Sequence, residues 1–153
     1  MAIQKIELPI PGLQELRSEA RGEGYAFIEK LVTEWVSGEN RFDAPGEILV
    51  GEMDQGQLVA VGGLNRDPFV ALPEVGRIRR VYVRPAWRNT GLGKALVLAL
   101  LEHASRSFLC VRLRAENCNA ARLYESMGFS PFADPTATHI LTLESRGQGP
   151  QSA

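Results

Sequence analysis

A strand, a long apolar helix and a second strand follow one another between residues 77 and 114. The first strand, RIRRVYVRP (77–85), alternates arginine with β-branched and aromatic residues. The second, FLCVRLR (108–114), places apolar residues on one face, and the helix between them covers residues 91–105. A strand–helix–strand connection of this kind is right-handed and makes its two strands parallel neighbours. The unit therefore predicts a sheet that contains a parallel pair.

The remaining segments predict further strands and helices on both sides of this unit. Alternation predicts strands at 3–8, from 47, from 57 and from 139, and one-sided apolar spacing predicts helices at 13–20, 25–36 and 118–128. The sequence DQG (54–56) suits a tight hairpin between the second and third strands. This order predicts an α/β (α+β) fold with a mostly antiparallel sheet.

Length and composition bound the class of protein. A chain of 153 residues, 44% hydrophobic and 23% charged, suits a single domain. The amino-terminal MAIQKIELP contains no apolar signal segment and the longest apolar run, 95–101, is too short to span a bilayer, so we expect a cytoplasmic protein without a membrane partner. A net charge of −1 does not favour nucleic acid as a partner. Two cysteines and two histidines, in no ligand-like spacing, predict no metal.

The start of the long helix combines two glycines with an unusual local charge. Residues 75–101 contain no Asp or Glu but six Arg and Lys residues, and Gly91 and Gly93 stand where the helix begins. The first N–H groups of a helix lack intrahelical partners and carry the positive end of its dipole, so glycines there let an anion approach the backbone. A solvated basic face and a closely packed turn are the alternatives. The segment is neither a P-loop, since Ala95 follows the lysine, nor a dinucleotide fingerprint, since Leu96 replaces the third glycine.

Two segments resemble the GNAT superfamily of N-acetyltransferases. RNTGLG (88–93) matches the family's R/Q-x-x-G-x-G/A signature and directly follows a strand ending in VYVRP. NCNAARLYESMGF (117–129) is similar to the family's N-x-x-A-x-x-L-Y-E-x-x-G-F segment, at the expected distance downstream. The resemblance implies a GNAT-like mixed, mostly antiparallel central sheet with a splayed parallel strand pair and about four helices. We expect one such domain over residues 1–146 and, from its composition, a flexible carboxyl-terminal tail over 147–153.

The resemblance also implies acetyl-CoA as the acetyl donor. Its diphosphate would lie on the backbone N–H groups at the start of the helix, and its pantetheine arm would run along the preceding strand like an added strand. The residues implied for cofactor binding are Val81, Tyr82, Val83, Arg88, Asn89, Thr90, Gly91, Leu92, Gly93, Lys94 and Asn117. No metal is expected in the reaction.

Tyr124 matches the family's tyrosine that protonates the departing CoA thiolate. A thiolate with a pKa of about 8.5 leaves more readily when a nearby hydroxyl protonates it. The alternative is a core aromatic, since Tyr124 shares a helical face with Ala120, Leu123 and Met127. The mechanism implied is direct attack of a neutral amine on the thioester, with a backbone N–H polarising the carbonyl.

The sequence departs from the family at one position of the cofactor-binding strand. Arg79 stands where many members have a glutamate that acts as the general base. Asp67, Glu74 and Glu116 are candidates for the base only by type and location, and the amine could instead bind in its neutral form. Arg77 and Arg79 suggest that the acceptor carries a carboxylate or phosphate, the alternative being a solvated face or ion pairs with neighbouring acids.

These observations predict an acetyl-CoA-dependent N-acetyltransferase that acts on the primary amine of a small molecule. Tyr25, beside Gly22 and Gly24, is a candidate to line the acceptor site on a mobile segment. A protein or peptide N-acetyltransferase remains an alternative. So does a non-catalytic acyl-CoA-binding module, which the missing glutamate favours and the retained Tyr124 opposes. Association as a homodimer is left open.

Overall fold

Four helices lie on the two faces of a seven-stranded sheet in the computed structural model, which describes residues 2–143. Within these residues the strands are β1 (Gln4–Lys5), β2 (Ile48–Asp54), β3 (Gln57–Arg66), β4 (Val75–Val83), β5 (Cys110–Leu113), β6 (Ser130–Asp134) and β7 (Ala137–Thr142). The helices are α1 (Leu13–Gly22), α2 (Phe27–Ser37), α3 (Leu92–Ala104) and α4 (Cys118–Ser126), and a 3₁₀ turn covers Pro85–Trp87. None of the described helices is long and apolar enough to cross a bilayer.

The strands follow the order β1-β2-β3-β4-β5-β7-β6. Within the described sheet, every neighbouring pair is antiparallel except β4 with β5, and α3 connects these two. The hairpin between β2 and β3 turns on Gln55 and Gly56, whose φ angles of 52° and 77° suit a two-residue turn and thus the tight hairpin that was predicted. The predicted fold class, a mixed and mostly antiparallel sheet with one parallel pair and about four helices, is confirmed.

Two apolar clusters fill the space between the sheet and its helices. α1 and α2 belong to one cluster, and α3 and α4 belong to the other. The successive β2 residues Leu49 and Val50 belong to different clusters, so the two helical layers cover opposite faces of the sheet. Leu96 and Leu100 of α3 are fully buried, which explains why this helix is the most apolar segment of the chain.

Two features of the sheet differ from the prediction. β6 was not predicted, because its residues are mostly exposed and show no apolar alternation, and Pro131 lacks the N–H of a central strand. The first strand is shorter than predicted, since β1 pairs with β2 only at Gln4 and Lys5. Residues 144–153, which include the end of the expected domain and the expected tail 147–153, lie outside the described residues.

The parallel pair is joined over a short stretch only. β4 and β5 pair from Val75 with Cys110 to Arg77 with Arg112, whereas β4 stays paired with β3 as far as Val83. The two parallel strands therefore separate beyond Arg77, as the splayed pair of the prediction requires. The second half of β4 presents an edge that has no strand partner among the described residues. An edge of this kind, next to the start of a helix, is where α/β sheets bind ligands.

Candidate active site

A cleft of about 1010 Å³ opens where β4 and β5 separate. Its walls come from β4, the start of α3, α4 with the loop before it, and the loop between α1 and α2. Thr90 is the one predicted site residue that does not line it, and its hydroxyl donates to the carbonyl of Trp87 (2.6 Å). The predicted residues that line the cleft are Tyr25, Arg77, Arg79, Val81, Tyr82, Val83, Arg88, Asn89, Gly91, Leu92, Gly93, Lys94, Asn117 and Tyr124.

The packing of the protein explains only one of the two glycines of the motif. Gly91 lies just outside α3 as its N-cap residue, with a φ of 84° that residues with side chains rarely adopt. Gly93 is the second residue of the helix, where a Cβ would make only ordinary contacts with Leu123 (3.6 Å) and Val83 (3.9 Å). The packing of the protein therefore explains glycine at position 91 through its φ, and does not require glycine at position 93.

The first turn of α3 offers backbone donors that have no partner among residues 2–143. Its N-cap makes no side-chain hydrogen bond to the turn, and the N–H groups of Leu92, Gly93 and Lys94 precede the first helical hydrogen bond, from Ala95 N to Gly91 O (3.0 Å). No acidic side chain lies in this turn, and Lys94 is exposed beside it. The helix start can therefore hold an anionic group through backbone N–H groups and the helix dipole.

Arg88 is held by an ion pair that sequence analysis missed. Its NH1 and NH2 donate to the carboxylate of Glu23, with NH1 2.8 Å from Oε2, and its Nε donates to the carbonyl of Val83 (3.0 Å). Glu23 also accepts a hydrogen bond from the Tyr82 hydroxyl. The Arg88–Glu23 hydrogen bonds raise the pKa of Arg88 and lower the pKa of Glu23. Arg88 thus lines the cleft with part of its charge already compensated.

Tyr124 is both a packed aromatic and a cleft residue. It is 6% exposed and packs edge-on against Phe129, with 5.6 Å between ring centroids. Its hydroxyl makes no hydrogen bond to the described part of the chain. Burial, with a smaller contribution from the charge of Glu116, raises the pKa of this hydroxyl above its usual value. The hydroxyl therefore carries its proton at neutral pH, and its place in the cleft, not its acidity, is what suits a proton donor.

Asn117 connects two walls of the cleft. Its Oδ1 accepts a hydrogen bond from Ala120 N (2.8 Å) and so caps α4. Its Nδ2 donates to the hydroxyl of Tyr25 (2.9 Å), which lies in the loop between α1 and α2. A residue predicted for the cofactor and one predicted for the acceptor are thus in direct contact.

A β-bulge interrupts β4 inside the cleft. The register with β3 shifts between Arg79 and Tyr82, so that two residues of β4 stand opposite Gly62. Arg80, the first of these two, has a φ of 61°, which is uncommon for any residue other than glycine. The glycine pair 62–63 of β3 is the sequence signal that could have indicated a bulge here.

The two arginines predicted for the acceptor have different surroundings. Arg77 is buried, and its guanidinium contacts the carboxylate of Asp67 (3.4 Å) and donates to the carbonyl of Thr136 (2.7 Å). For Arg77, the ion pair with a neighbouring acid is therefore present. Arg79 lies 3.5 Å from the Oδ1 of Asn65 and pairs with no carboxylate of the described residues.

The three acids considered as bases are also placed differently. Asp67 has a fully buried side chain that pairs with Arg77 and with Arg112 (3.3 Å), and it is not among the residues that line the cleft. Glu74 is not among the residues that line the cleft. Glu116 lines the cleft, is exposed, and lies close enough to Tyr124 to influence its pKa.

Comparison with known families gives a match over most of the chain. A model of the family described as the acetyltransferase (GNAT) family matches residues 11–129. This range contains both motifs and all of the cleft residues that the sequence predicted.

Two curated relatives match parts of the chain. A mycothiol acetyltransferase from Kocuria rhizophila is 33% identical over 97 residues, which are 60% of this chain and 32% of that protein. The N-alpha-acetyltransferase RimI from Mycobacterium tuberculosis is 30% identical over 90 residues, 56% of this chain and 54% of that protein. The matched segment thus spans about a third of the first relative and about half of the second.

A solved structure shares the fold. YncA of Salmonella typhimurium, solved with its cofactor acetyl-CoA, superposes with a TM-score of 0.70 and 16% identity over 95% of both chains. At this level of identity the likeness concerns the fold alone.

Proposed function

The chain belongs to the acetyltransferase (GNAT) family, and from that we propose that it transfers an acetyl group from acetyl-CoA to a primary amine of a small molecule. The observation that carries the proposal is that one cleft contains both an uncapped helix start and the protonated Tyr124 hydroxyl. The helix start suits the diphosphate of the donor. The hydroxyl suits the thiolate that departs when the thioester is attacked.

Each wall of the cleft has a proposed part in holding the donor. The N–H groups at the start of α3, with Lys94 and the Glu23-bound Arg88, take the diphosphate. The open edge of β4 takes the pantetheine arm, because its backbone groups have no strand partner among the described residues and can bond it like an added strand. The residues proposed for donor binding remain Val81, Tyr82, Val83, Arg88, Asn89, Thr90, Gly91, Leu92, Gly93, Lys94 and Asn117, of which Thr90 acts through the shape of the turn and not by contact.

The proposed reaction is a direct transfer in a ternary complex. The lone pair of the neutral amine attacks the thioester carbonyl, the carbon–sulfur bond breaks, and the sulfur takes the proton of the Tyr124 hydroxyl. The nitrogen loses its extra proton to a base. Among the acids considered, Glu116 is the one that lines the cleft, and it is our candidate for that base.

A small-molecule acceptor with an anionic group fits the rest of the cleft. The similarity to a mycothiol acetyltransferase supports a small molecule. The described lining contains the cations Lys30, Arg77, Arg79, Arg80 and Arg114 beyond the donor motif, against the single acid Glu116. We keep Tyr25, Arg77 and Arg79 as proposed acceptor residues, and Arg79 is better placed than Arg77 because no acid occupies it.

A protein or peptide acceptor is the second candidate function, favoured by the similarity to RimI. A non-catalytic acyl-CoA-binding module is the third, and the position of Tyr124 in the cleft argues against it. The domain limits 1–146, a cytoplasmic location, a homodimer and the lack of nucleic-acid or membrane partners stay predictions.

Two measurements on the purified protein test the proposal. Calorimetric titration with acetyl-CoA tests the donor site, and the absence of binding would contradict all three functions. Release of the CoA thiol, followed with a panel of small amines, amino acids and peptides, then separates them. Turnover with small amines supports the first function, turnover with peptides alone supports the second, and binding without any turnover supports the third.

A further inference from the structure

The bulge in β4 brings two successive arginines to the same face of the sheet. Adjacent residues of a regular strand point to opposite faces, but the positive φ of Arg80 breaks this alternation. Arg80 donates from NH2 to the Oε1 of Glu34 in α2 (3.2 Å). Arg79 contacts Asn65, which in turn bonds Asn40 in the segment after α2. Both guanidinium groups therefore lie on the α2 side of β4, in the cleft.

These two arginines carry two positive charges but have a single carboxylate partner among the described residues. Glu34 pairs with Arg80, and no carboxylate of the described residues pairs with Arg79. The side chain of Arg80 is only 9% exposed, and its buried Nε has no hydrogen-bond acceptor among the described residues. Burial, followed by the charge of Arg80, lowers the pKa of Arg79 to about 10. A half-buried positive charge without a counter-ion is costly, so an anion that enters here is favoured.

We propose that Arg79 and Arg80 form a carboxylate-binding subsite, and that the acceptor is therefore an amino carboxylate, a molecule with a primary amine and a free carboxylate. The inference rests on the proposed function, because it concerns the acceptor of that reaction. The pair carries one positive charge more than Glu34 compensates, which fits a monoanion, and a guanidinium binds a carboxylate through paired hydrogen bonds. Arg77, also proposed to face the acceptor, adds less to the subsite, since Asp67 pairs with its charge and the carbonyl of Thr136 accepts one of its hydrogen bonds.

The subsite requires that acceptors lose activity when their carboxylate is neutralised. We would measure kcat/KM by thiol release for the standard amino acids, for their carboxamides, and for aminoalkyl phosphates as dianionic analogues. Charge-assisted hydrogen bonds predict that the best amino acid exceeds its carboxamide by roughly 10- to 100-fold. Calorimetric titration of the CoA-bound protein with the same compounds gives a readout that does not need turnover.

Substitutions of Arg79 test whether this arginine causes the preference for carboxylates over carboxamides. Arg79→Gln should abolish the advantage of carboxylate over carboxamide, mainly through KM, and Arg79→Lys should retain part of it. Arg106→Gln, at an exposed arginine that does not line the cleft, should leave the advantage unchanged. Acetyl-CoA affinity and thermal unfolding of each variant check that the fold and donor site are intact.

The outcomes separate the subsite from the reaction. If the protein acetylates amines but no amino acid reacts with or binds to it better than its carboxamide, the subsite is refuted and the proposed function stands. An advantage that Arg79→Gln leaves unchanged refutes the subsite as well, and so does a preference for aminoalkyl phosphates over carboxylates. If acetyl-CoA does not bind, the proposed function itself is refuted.

Discussion

The side-chain amide of Asn117 donates a hydrogen bond to the hydroxyl of Tyr25 at 2.9 Å, although the two residues are 92 positions apart in the chain. The contact joins the N-cap of α4 to the loop between α1 and α2. Both residues line the cleft between the splayed strands. This one hydrogen bond thus connects the loop at the mouth of the cleft to α4, the helix that carries Tyr124.

Removal of this bridge should loosen donor binding without disturbing the fold. Tyr25→Phe removes the hydroxyl that accepts this hydrogen bond. Because such a bond is worth about 0.5–1.5 kcal/mol, its loss predicts roughly two- to tenfold faster dissociation of acetyl-CoA. Stopped-flow dissociation rates measure this. Asn117→Ser keeps an N-cap side chain that is too short to reach Tyr25, so it should speed the dissociation of acetyl-CoA by a similar factor. Asn117→Ala should in addition lower the free energy of unfolding by about 1 kcal/mol. A dissociation rate unchanged by Tyr25→Phe would show that the bridge does not retain the donor.

Gly93→Ala should separate stability from donor affinity. Alanine is the better residue in a helix by roughly 0.5–1 kcal/mol, and its Cβ would make only ordinary contacts here, so the free energy of unfolding should rise. The affinity for acetyl-CoA should fall, because the Cβ lies on the turn proposed to hold the diphosphate. Gly22→Ala, at a helical glycine with open space around it, is the matched control and should change stability alone. If Gly93→Ala and Gly22→Ala bind acetyl-CoA with equal affinity, Gly93 has no role in donor binding.

Glu23→Gln should strengthen binding of acetyl-CoA. The substitution removes the carboxylate that pairs with Arg88, so more of the guanidinium's charge acts on the diphosphate. For a partly exposed pair the gain should be about two- to threefold, and it should shrink as salt is added. Arg88→Gln should weaken binding instead. A weaker complex with both variants would mean that Glu23 holds Arg88 in its binding position.

Acid titration should reveal the ion pair between the first two helices. Hydrogen bonds from Arg17 (2.7 and 2.8 Å) and Arg21 lower the pKa of Glu29 from 4.5 to about 2. Because this pKa is lower in the folded state, the stabilisation is complete above pH 4.5 and is lost as the pH falls towards 2. Urea unfolding of Glu29→Gln should show a smaller loss of stability over this window than the wild type. Glu39→Gln, at an exposed residue, serves as the control, and parallel pH curves for Glu29→Gln and the wild type would contradict the assignment.

The sequence predicted the parts of the site that are local in the chain. The glycines of the 88–93 motif and Tyr124 of the 117–129 motif each lie within one continuous segment, and both segments line the cleft that opens where β4 and β5 separate. Partners from distant segments could not be predicted. Glu23 lies 65 residues before Arg88, and nothing in either segment indicates their pairing.

Arginines of the same strand also could not be told apart by sequence. Arg77 and Arg79 have the same residue type and the same alternation, and they differ because Asp67 and Thr136 reach only the first. The bulge at Arg80 is likewise a matter of register with β3, which depends on contacts between strands rather than on either strand alone. The edge strand β6 was missed because its exposed residues have no apolar pattern to read.

The proton-donating role of Tyr124 is tested most directly by the rate of CoA thiol release from acetyl-CoA, measured for the wild type and Tyr124→Phe in the presence of an amine that the protein acetylates. If Tyr124 protonates the leaving thiolate, the variant should bind acetyl-CoA with unchanged affinity and lose about 10²- to 10⁴-fold in kcat. The substituted phenyl ring would keep the edge-on contact with Phe129, so stability should be nearly unchanged. A variant that turns over as fast as the wild type would show that Tyr124 is a packing residue and would contradict the mechanism.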